Sequence, residues 1–288
     1  LESRFVEPLS TGHAALEGRA GAARSGGATM DYLTWNVDPE IFRFGPFAPR
    51  WYGVLFALGF LLGHTIMVQI YRHERRPEEN LSSLFLYVFF GALIGARLGH
   101  VLFYQPDYYL PRPWEILMIW QGGLASHGGF TGVLIALYLY ARRYREMGFL
   151  ELADRLVIAS LPAAGLIRIG NLFNSEILGA PTKLPWAMIF LRVDDIPRHP
   201  AMLYESLAYL LVFAILYSAY WKTGIIKVPG RALGFALVAC FTARFLIEFV
   251  KEEQVLFEQN MLLNMGQLLS IPFIAIGLVL LFRTQRKK

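Results

Sequence analysis

About seven near-continuous apolar runs, each close to the ~20 residues that cross a bilayer as a helix, dominate this chain. They cover residues 51–70, 81–104, 116–140, 152–171, 203–221, 233–250 and 263–282. A soluble chain of 288 residues can bury a large core without such runs, and it carries more charge. Here charged residues are 17% of the chain and hydrophobic ones 55%, against about 25% charged in an ordinary soluble domain. The run lengths and the lack of two-residue alternation argue for helices over barrel strands. The fold class read from the sequence is all-α, a polytopic membrane protein with about seven transmembrane helices. The fourth run is the weakest, because its apolar part is short and Pro162 interrupts it.

Lysine and arginine in the loops set the orientation. The first loop holds Arg72, Arg75 and Arg76, the third Arg142, Arg143 and Arg145, and the fifth Lys222, Lys227 and Arg231. The tail adds Arg283, Arg286, Lys287 and Lys288. The second loop has only Arg112 and the sixth only Lys251, while Lys183, Arg192 and Arg198 are diluted over the long fourth loop. Odd loops and the C-terminus are therefore expected in the cytoplasm, with the N-terminus outside. The net charge of +5 suits anionic lipid surfaces better than nucleic acid.

Residues 1–29 are rich in Gly, Ala, Ser and Arg and lack the apolar stretch of a signal peptide. They are expected to be a vector-derived remnant or an extended start without fixed structure, leaving 30–288 as one integral-membrane domain. Residues 31–50 are aromatic and suit the membrane interface. The single cysteine, Cys240, excludes an internal disulfide and reads as a buried thiol.

Against this apolar background, residues 168–179 pack Arg168, Asn171, Asn174 and Glu176 into a few turns. Charges so close to hydrocarbon are costly and usually face a cavity or one another. The orientation brings further polar groups to the same outer side. These are Tyr52 at the start of the first span, Arg97 and His100 in the second, Tyr204 and Glu205 opening the fifth, and Arg244 with Glu248 closing the sixth. His127 is expected roughly 16 Å down a third span that starts near Ile116. The inner half offers only His64 on this reading.

Arg97, Arg168 and Arg244 at headgroup depth would suit a phosphodiester, the usual partner of guanidinium. The plainer alternative pairs Arg244 with Glu248 and Arg168 with Glu176. His127 lies in the glycine-rich 122–132 segment, where small residues allow close helix packing and an imidazole could act as a base. Asn171 and Asn174 could bond glycerol or phosphate oxygens, or close the helix end. Tyr52 and Trp51 could be interfacial belt residues. No zinc-protease, nucleotide-loop, nucleophile-elbow or paired-cysteine motif is present. A non-catalytic carrier or transporter of anionic phospholipid remains the alternative to an enzyme.

The 168–179 stretch, Arg-Ile-Gly-Asn-Leu-Phe-Asn-Ser-Glu-Ile-Leu-Gly, closely resembles the signature of the prolipoprotein diacylglyceryl transferases, a bacterial membrane enzyme family. Trp-Tyr-Gly at 51–53, Ala-Arg-Leu-Gly at 96–99, Ser-His-Gly-Gly at 126–129, Arg-His-Pro at 198–200 with Leu-Tyr-Glu at 203–205, and Arg244-Phe245 with Glu248-Phe249 resemble further family blocks in order. The resemblance implies transfer of the diacylglyceryl group of phosphatidylglycerol to the lipobox cysteine of a prolipoprotein signal peptide. A thioether forms and glycerol-1-phosphate leaves, with no cofactor or metal. It also implies His127, Arg168 and Arg244 as catalytic residues. Tyr52, Arg97, Asn171, Asn174, Glu176, Gly179, Tyr204, Glu205 and Glu248 are then substrate-binding. The site would face the outer side of the cytoplasmic membrane. Three positions depart from the family pattern: Cys240 stands where a tyrosine is common, Ser175 replaces a glycine, and His100 replaces an aromatic residue.

Overall fold

The structure is a computed structural model and describes residues 31–45, 48–119, 122–252 and 262–283; the expectation for residues 1–29 lies outside them. Five helices are long and apolar enough to cross a membrane: Trp51–His73 (α1), Leu81–Phe103 (α2), Phe149–Asn174 (α5), Ala201–Thr223 (α6) and Arg231–Val250, which is α6's successor α7 (Arg231–Ile247) with a 3-10 turn, Glu248–Val250. Two further helices fall short of that standard, Ser126–Tyr144 (α4) with 19 residues and Met265–Leu281 (α8) with 17. A one-turn helix, Pro106–Tyr109 (α3), and a 3-10 turn, Pro113–Leu117, lie between α2 and α4.

Three expectations change. The fold is mostly helical but not all-α. Strands Leu33–Trp35 (β1), Met188–Phe190 (β2) and Pro197–Arg198 (β3) form a small sheet, with β1 parallel and β3 antiparallel to β2. The inward-facing Met188 and Phe190 alternate with the half-buried Ile189, the two-residue period of a strand covered on one face. The third run does not begin as a helix at Ile116; α4 starts ten residues later, at Ser126. Gly122 and Gly123 intervene with φ of +89° and +71°, values that end any right-handed helix. Finally, Pro162 does not interrupt the fourth run, since α5 continues through it for 26 residues. Such a proline is tolerated where neighbouring helices surround it.

Glycine seams decide which helices pair. α2 packs on α4 through Gly91, Gly95 and Gly99 against Gly128 and Gly132. A Cβ on Gly95 would lie 2.8 Å from the Gly132 Cα, and one on Gly99 2.7 Å from the Gly128 Cα. α1 packs on α5 the same way: a Cβ on Gly59 would meet the Ala163 Cβ at 2.8 Å. Backbones this close gain dispersion contacts that lipid cannot supply. α5 is the hub, touching α1, α4, α6 and α7. The main core joins Ile70, Tyr71, Leu84, Tyr140, Leu152, Ile158 and Leu216 at the end of the bundle away from the sheet.

Candidate functional site

The polar residues of 168–179 end α5. Ser175 caps the helix with φ +54° and Ile177 follows at φ +59°, a left-handed conformation that disfavours branched side chains. Glu176 N–H donates to the Asn171 carbonyl at 2.9 Å, folding the chain back over the helix end. Glu176 Oε2 then accepts from Asn171 Nδ2 at 2.9 Å, and Glu176 Oε1 from Asn174 Nδ2 at 3.2 Å. Asn171 Oδ1 accepts from Arg168 Nη1 at 3.1 Å. The amide of Asn171 thus links the arginine to the glutamate, and the direct Arg168–Glu176 pairing considered from the sequence is replaced by this relay.

The partner of Arg168 is Glu205 on α6, whose side chain is fully buried. Glu205 also meets Lys251 Nζ at 2.6 Å and accepts from Tyr209 Oη at 3.4 Å. Lys251 Nζ continues to Glu248 Oε2 at 2.9 Å. Glu248 therefore pairs with Lys251 and not with Arg244. Arg244 is near enough to act electrostatically on Glu205, yet among the described residues it enters no salt bridge. A cation so placed is expensive in hydrocarbon unless an anion joins it. Tyr52 completes this side. Its ring packs on Gly170, where an added Cβ would lie 2.7 Å from Tyr52 Cδ2, and it interacts electrostatically with Glu176 and Arg168.

Gly179 lies where three backbone segments cross. Its N–H donates to the His199 carbonyl at 2.9 Å, and it bridges to Lys251. A Cβ there would come 2.7 Å from both the His199 and Val250 carbonyl oxygens. The role the structure gives Gly179 is to let the α5–β2 segment lie against Lys251. Tyr204 has other partners: its hydroxyl accepts from Trp186 Nε1 at 2.8 Å and lies 3.1 Å from His199 Nδ1. Burial holds the His199 imidazole below its ordinary range, while the Arg198 guanidinium bonded to Asp194 holds that carboxyl below its own.

Arg97 departs from the expected role. Its guanidinium is occupied by main-chain carbonyls: Nε donates to Ile116 at 2.8 Å, Nη1 to Gly122 at 2.7 Å, and Nη2 to Glu115 at 2.5 Å. The Tyr109 ring covers it at 4.7 Å. Arg97 is 3% exposed and holds Glu115, Ile116, Met118, Gly122 and Gly123 onto α2, with its donors spent. His127 sits in the first turn of α4, exposed to the surroundings. The depth of roughly 16 Å therefore fails, because α4 starts only at Ser126, after Gly122 and Gly123, and not near Ile116. No hydrogen bond or ion pair among the described residues joins His127 to the Arg168–Glu205 cluster.

Sequence reasoning missed Lys251, Tyr209 and Trp186. Lys251 entered only the loop-charge tally, yet it stands three residues after Glu248. Tyr209 stands four after Glu205, on the same helix face. It also missed a second buried ionic cluster at the opposite end of α5. There Arg155 Nε donates to both Glu74 oxygens at 3.0 Å, and Asp154 accepts from the Gly230 and Leu233 N–H groups at 2.7 and 2.8 Å. The half of the bundle expected to offer only His64 thus holds these groups as well.

Comparison with known proteins brings these features together. The family model described as prolipoprotein diacylglyceryl transferase matches residues 39–283. A phosphatidylglycerol–prolipoprotein diacylglyceryl transferase of Chloroherpeton thalassium is 49% identical over 259 residues, 90% of this chain and 97% of the relative. Namesakes from Tolumonas auensis and Porphyromonas gingivalis are 47% and 44% identical, covering 89% and 88% of this chain and 99% and 94% of theirs. Matches of that extent take in every helix from α1 to α8, and the chain belongs to the prolipoprotein diacylglyceryl transferase family.

Proposed function

We propose that this chain transfers the diacylglyceryl group of phosphatidylglycerol to the lipobox cysteine thiol of a prolipoprotein, the first step of bacterial lipoprotein maturation. The observation that carries this reading is the 49% identity to a relative of that name across 97% of the relative's length. The Arg168–Glu205–Lys251 cluster supports it chemically. In the reaction the cysteine sulfur attacks the glyceryl carbon next to the phosphate. The carbon–sulfur bond forms as the carbon–oxygen bond breaks, and the phosphate oxygen leaves with glycerol-1-phosphate. Negative charge grows on that phosphate, where preorganised cations count most. Arg244, the cation without a salt bridge among the described residues, takes the phosphate together with Arg168, whose position Glu205 and Asn171 fix. Tyr52 and Asn171 border the lipid, and Glu176 and Asn174 hold the turn. The thiol must lose its proton to attack, and His127 accepts it.

The topology belongs to the same proposal. At ~1.5 Å per residue, α4 and α8 are about 28 and 26 Å long, close to the ~30 Å hydrocarbon core, and would complete seven spans. The arginine-rich odd loops then lie in the cytoplasm of a bacterial cell, the N-terminus outside, and the site opens to the outer face of the cytoplasmic membrane. Residues 30–288 act as one transferase domain.

The test is turnover by purified protein supplied with phosphatidylglycerol and a lipobox peptide. The peptide is expected to gain the mass of one diacylglyceryl group, with glycerol phosphate released in equal amount. Lipid binding without that gain would make the chain a carrier and overturn the enzyme reading.

A further inference from the structure

The glycine seams have a by-product. Because α2 is drawn onto α4 and α1 onto α5, the backbones of α1 and α2 stay apart and meet through side-chain rings, and a gap opens between them with α5 behind it. The gap is a cavity of about 110 Å³ lined by Gly63 and Met67 from α1, Leu84 and Phe85 from α2, and Leu156 and Ser160 from α5. Phe60 and His64, also in the lining, set their rings edge-on to Phe85, both at 5.6 Å between centroids. The hydroxyl of Ser160 is spent on the Val157 carbonyl at 3.1 Å, so the lining offers a guest almost nothing but hydrocarbon. Apolar cavities of ~150 Å³ stay dry and accept small hydrocarbons.

Its depth picks out the guest. Ser160 and Leu156 lie about 12 and 18 Å from Arg168 along α5 at ~1.5 Å per residue. One leaflet of acyl chain is about 15 Å thick, half the ~30 Å core. A lipid whose phosphate is held at Arg168 therefore delivers the end of a chain, not its beginning, to this depth. Below the cavity Ile70, Tyr71 and Leu84 belong to the closely packed core, which gives it a floor.

Resting on the transferase reading, we propose that this cavity receives the methyl end of one acyl chain of the substrate lipid, and that its floor sets the chain length the protein prefers. Leu84, Leu156 and Ser160 are then specificity residues for a reaction whose chemistry happens two to three helical turns away. A methylene gained or lost in a hydrophobic pocket is worth about 10- to 200-fold in selectivity, so the effect is within reach of ordinary assays.

The experiment compares dilauroyl, dipalmitoyl and distearoyl phosphatidylglycerol with the unmodified chain, Ser160→Leu and Leu84→Ala. The distearoyl-to-dilauroyl ratio is read twice, from thioether product and from bound lipid by native mass spectrometry. Ser160→Leu, which adds bulk to the lining, is expected to lower the ratio about tenfold. Leu84→Ala, which deepens the floor, is expected to raise it. Thermal unfolding of each variant reports folding independently. Ratios equal to those of the unmodified chain overturn the proposal, as does an equal fall for all three lipids, the outcome if a bystander lipid or mere packing fills the space. The bound-lipid ratio keeps the two readings apart: shifted binding without any thioether from the unmodified chain would sink the transferase reading and leave the cavity's role standing.

Discussion

Two buried ion networks lie about 20 Å apart along α5, one around Arg155 and one around Arg168. Both combine arginine, glutamate and tyrosine. At the Arg155 end, Glu74 takes Arg155, Arg76 at 2.6 Å and the Tyr220 hydroxyl at 3.2 Å. Arg155 spends a further donor on the Glu151 carbonyl at 2.6 Å, and Asp154 caps the start of α7. This network is closed: each charge has a partner, and it joins α1, α5 and α6. At the other end Glu205 and Glu248 are bridged by Lys251, and Arg168 is fixed between Glu205 and Asn171, but Arg244 stands beside them without a salt bridge among the described residues. Both networks are costly to bury. Burial and charge therefore do not mark a site by themselves; under the proposed function, what marks it is Arg244, the cation without a salt bridge among the described residues.

That contrast can be broken by substitution. The largest effect is expected from Arg244→Ala, with thioether formation falling about a thousandfold, roughly 4 kcal/mol of transition-state stabilisation, and little change in melting temperature. An Arg244→Ala protein that melted early but turned over normally per folded molecule would move Arg244 into the structural class. Next comes Arg155→Ala, which leaves Glu74 short of its main partner and is expected to cost about 3 kcal/mol of stability. Denaturation in detergent checks this, and turnover per folded molecule should hold.

Lys251→Met tests whether the Arg168 network mixes both roles. Glu205 and Glu248 would then lack the ammonium between them, and a stability loss of about 2 kcal/mol should accompany slower transfer. Loss of stability alone would make Lys251 purely structural. A smaller gain is expected from Ser175→Gly, because a left-handed residue other than glycine costs about 1 kcal/mol; a chemical melt should show the increase. Smallest is the effect expected at the part-buried Asp194–Arg198 pair. Its depressed carboxyl contributes stability above the unfolded aspartate value of about 3.9, and this is lost as pH falls through the lower folded value. Asp194→Asn should flatten the melting-temperature profile in that acidic window; an unchanged profile would show that the pair contributes nothing.

Much of this architecture was readable because hydrophobic length is a strong constraint. α1 and α2 begin at Trp51 and Leu81, where the apolar runs begin. The expected helix start near Ile116 failed because the Ile116, Met118, Gly122 and Gly123 carbonyls accept from Arg97 and the two glycines turn the chain. Hydropathy registers side chains and is blind to where backbone groups are satisfied. The same limit hid the true partners of Arg168. Spacing along one chain favoured Glu176, whereas Glu205 lies on another helix and arrives only through the packing of α5 on α6. Arg155 and Asp154 were missed for the opposite reason: they sit inside an apolar run, and their partners Glu74 and Gly230 are in loops that a charge tally treats as solvent-exposed.

The most direct test of the contrast measures initial rates of thioether formation per folded molecule for Arg244→Ala and Arg155→Ala side by side, with melting temperatures taken on the same samples. The account predicts that Arg244→Ala melts normally and transfers about a thousandfold more slowly, while Arg155→Ala melts early and transfers at the unmodified rate. Equal rates in the two variants would contradict it, because the open and closed networks would then be functionally alike.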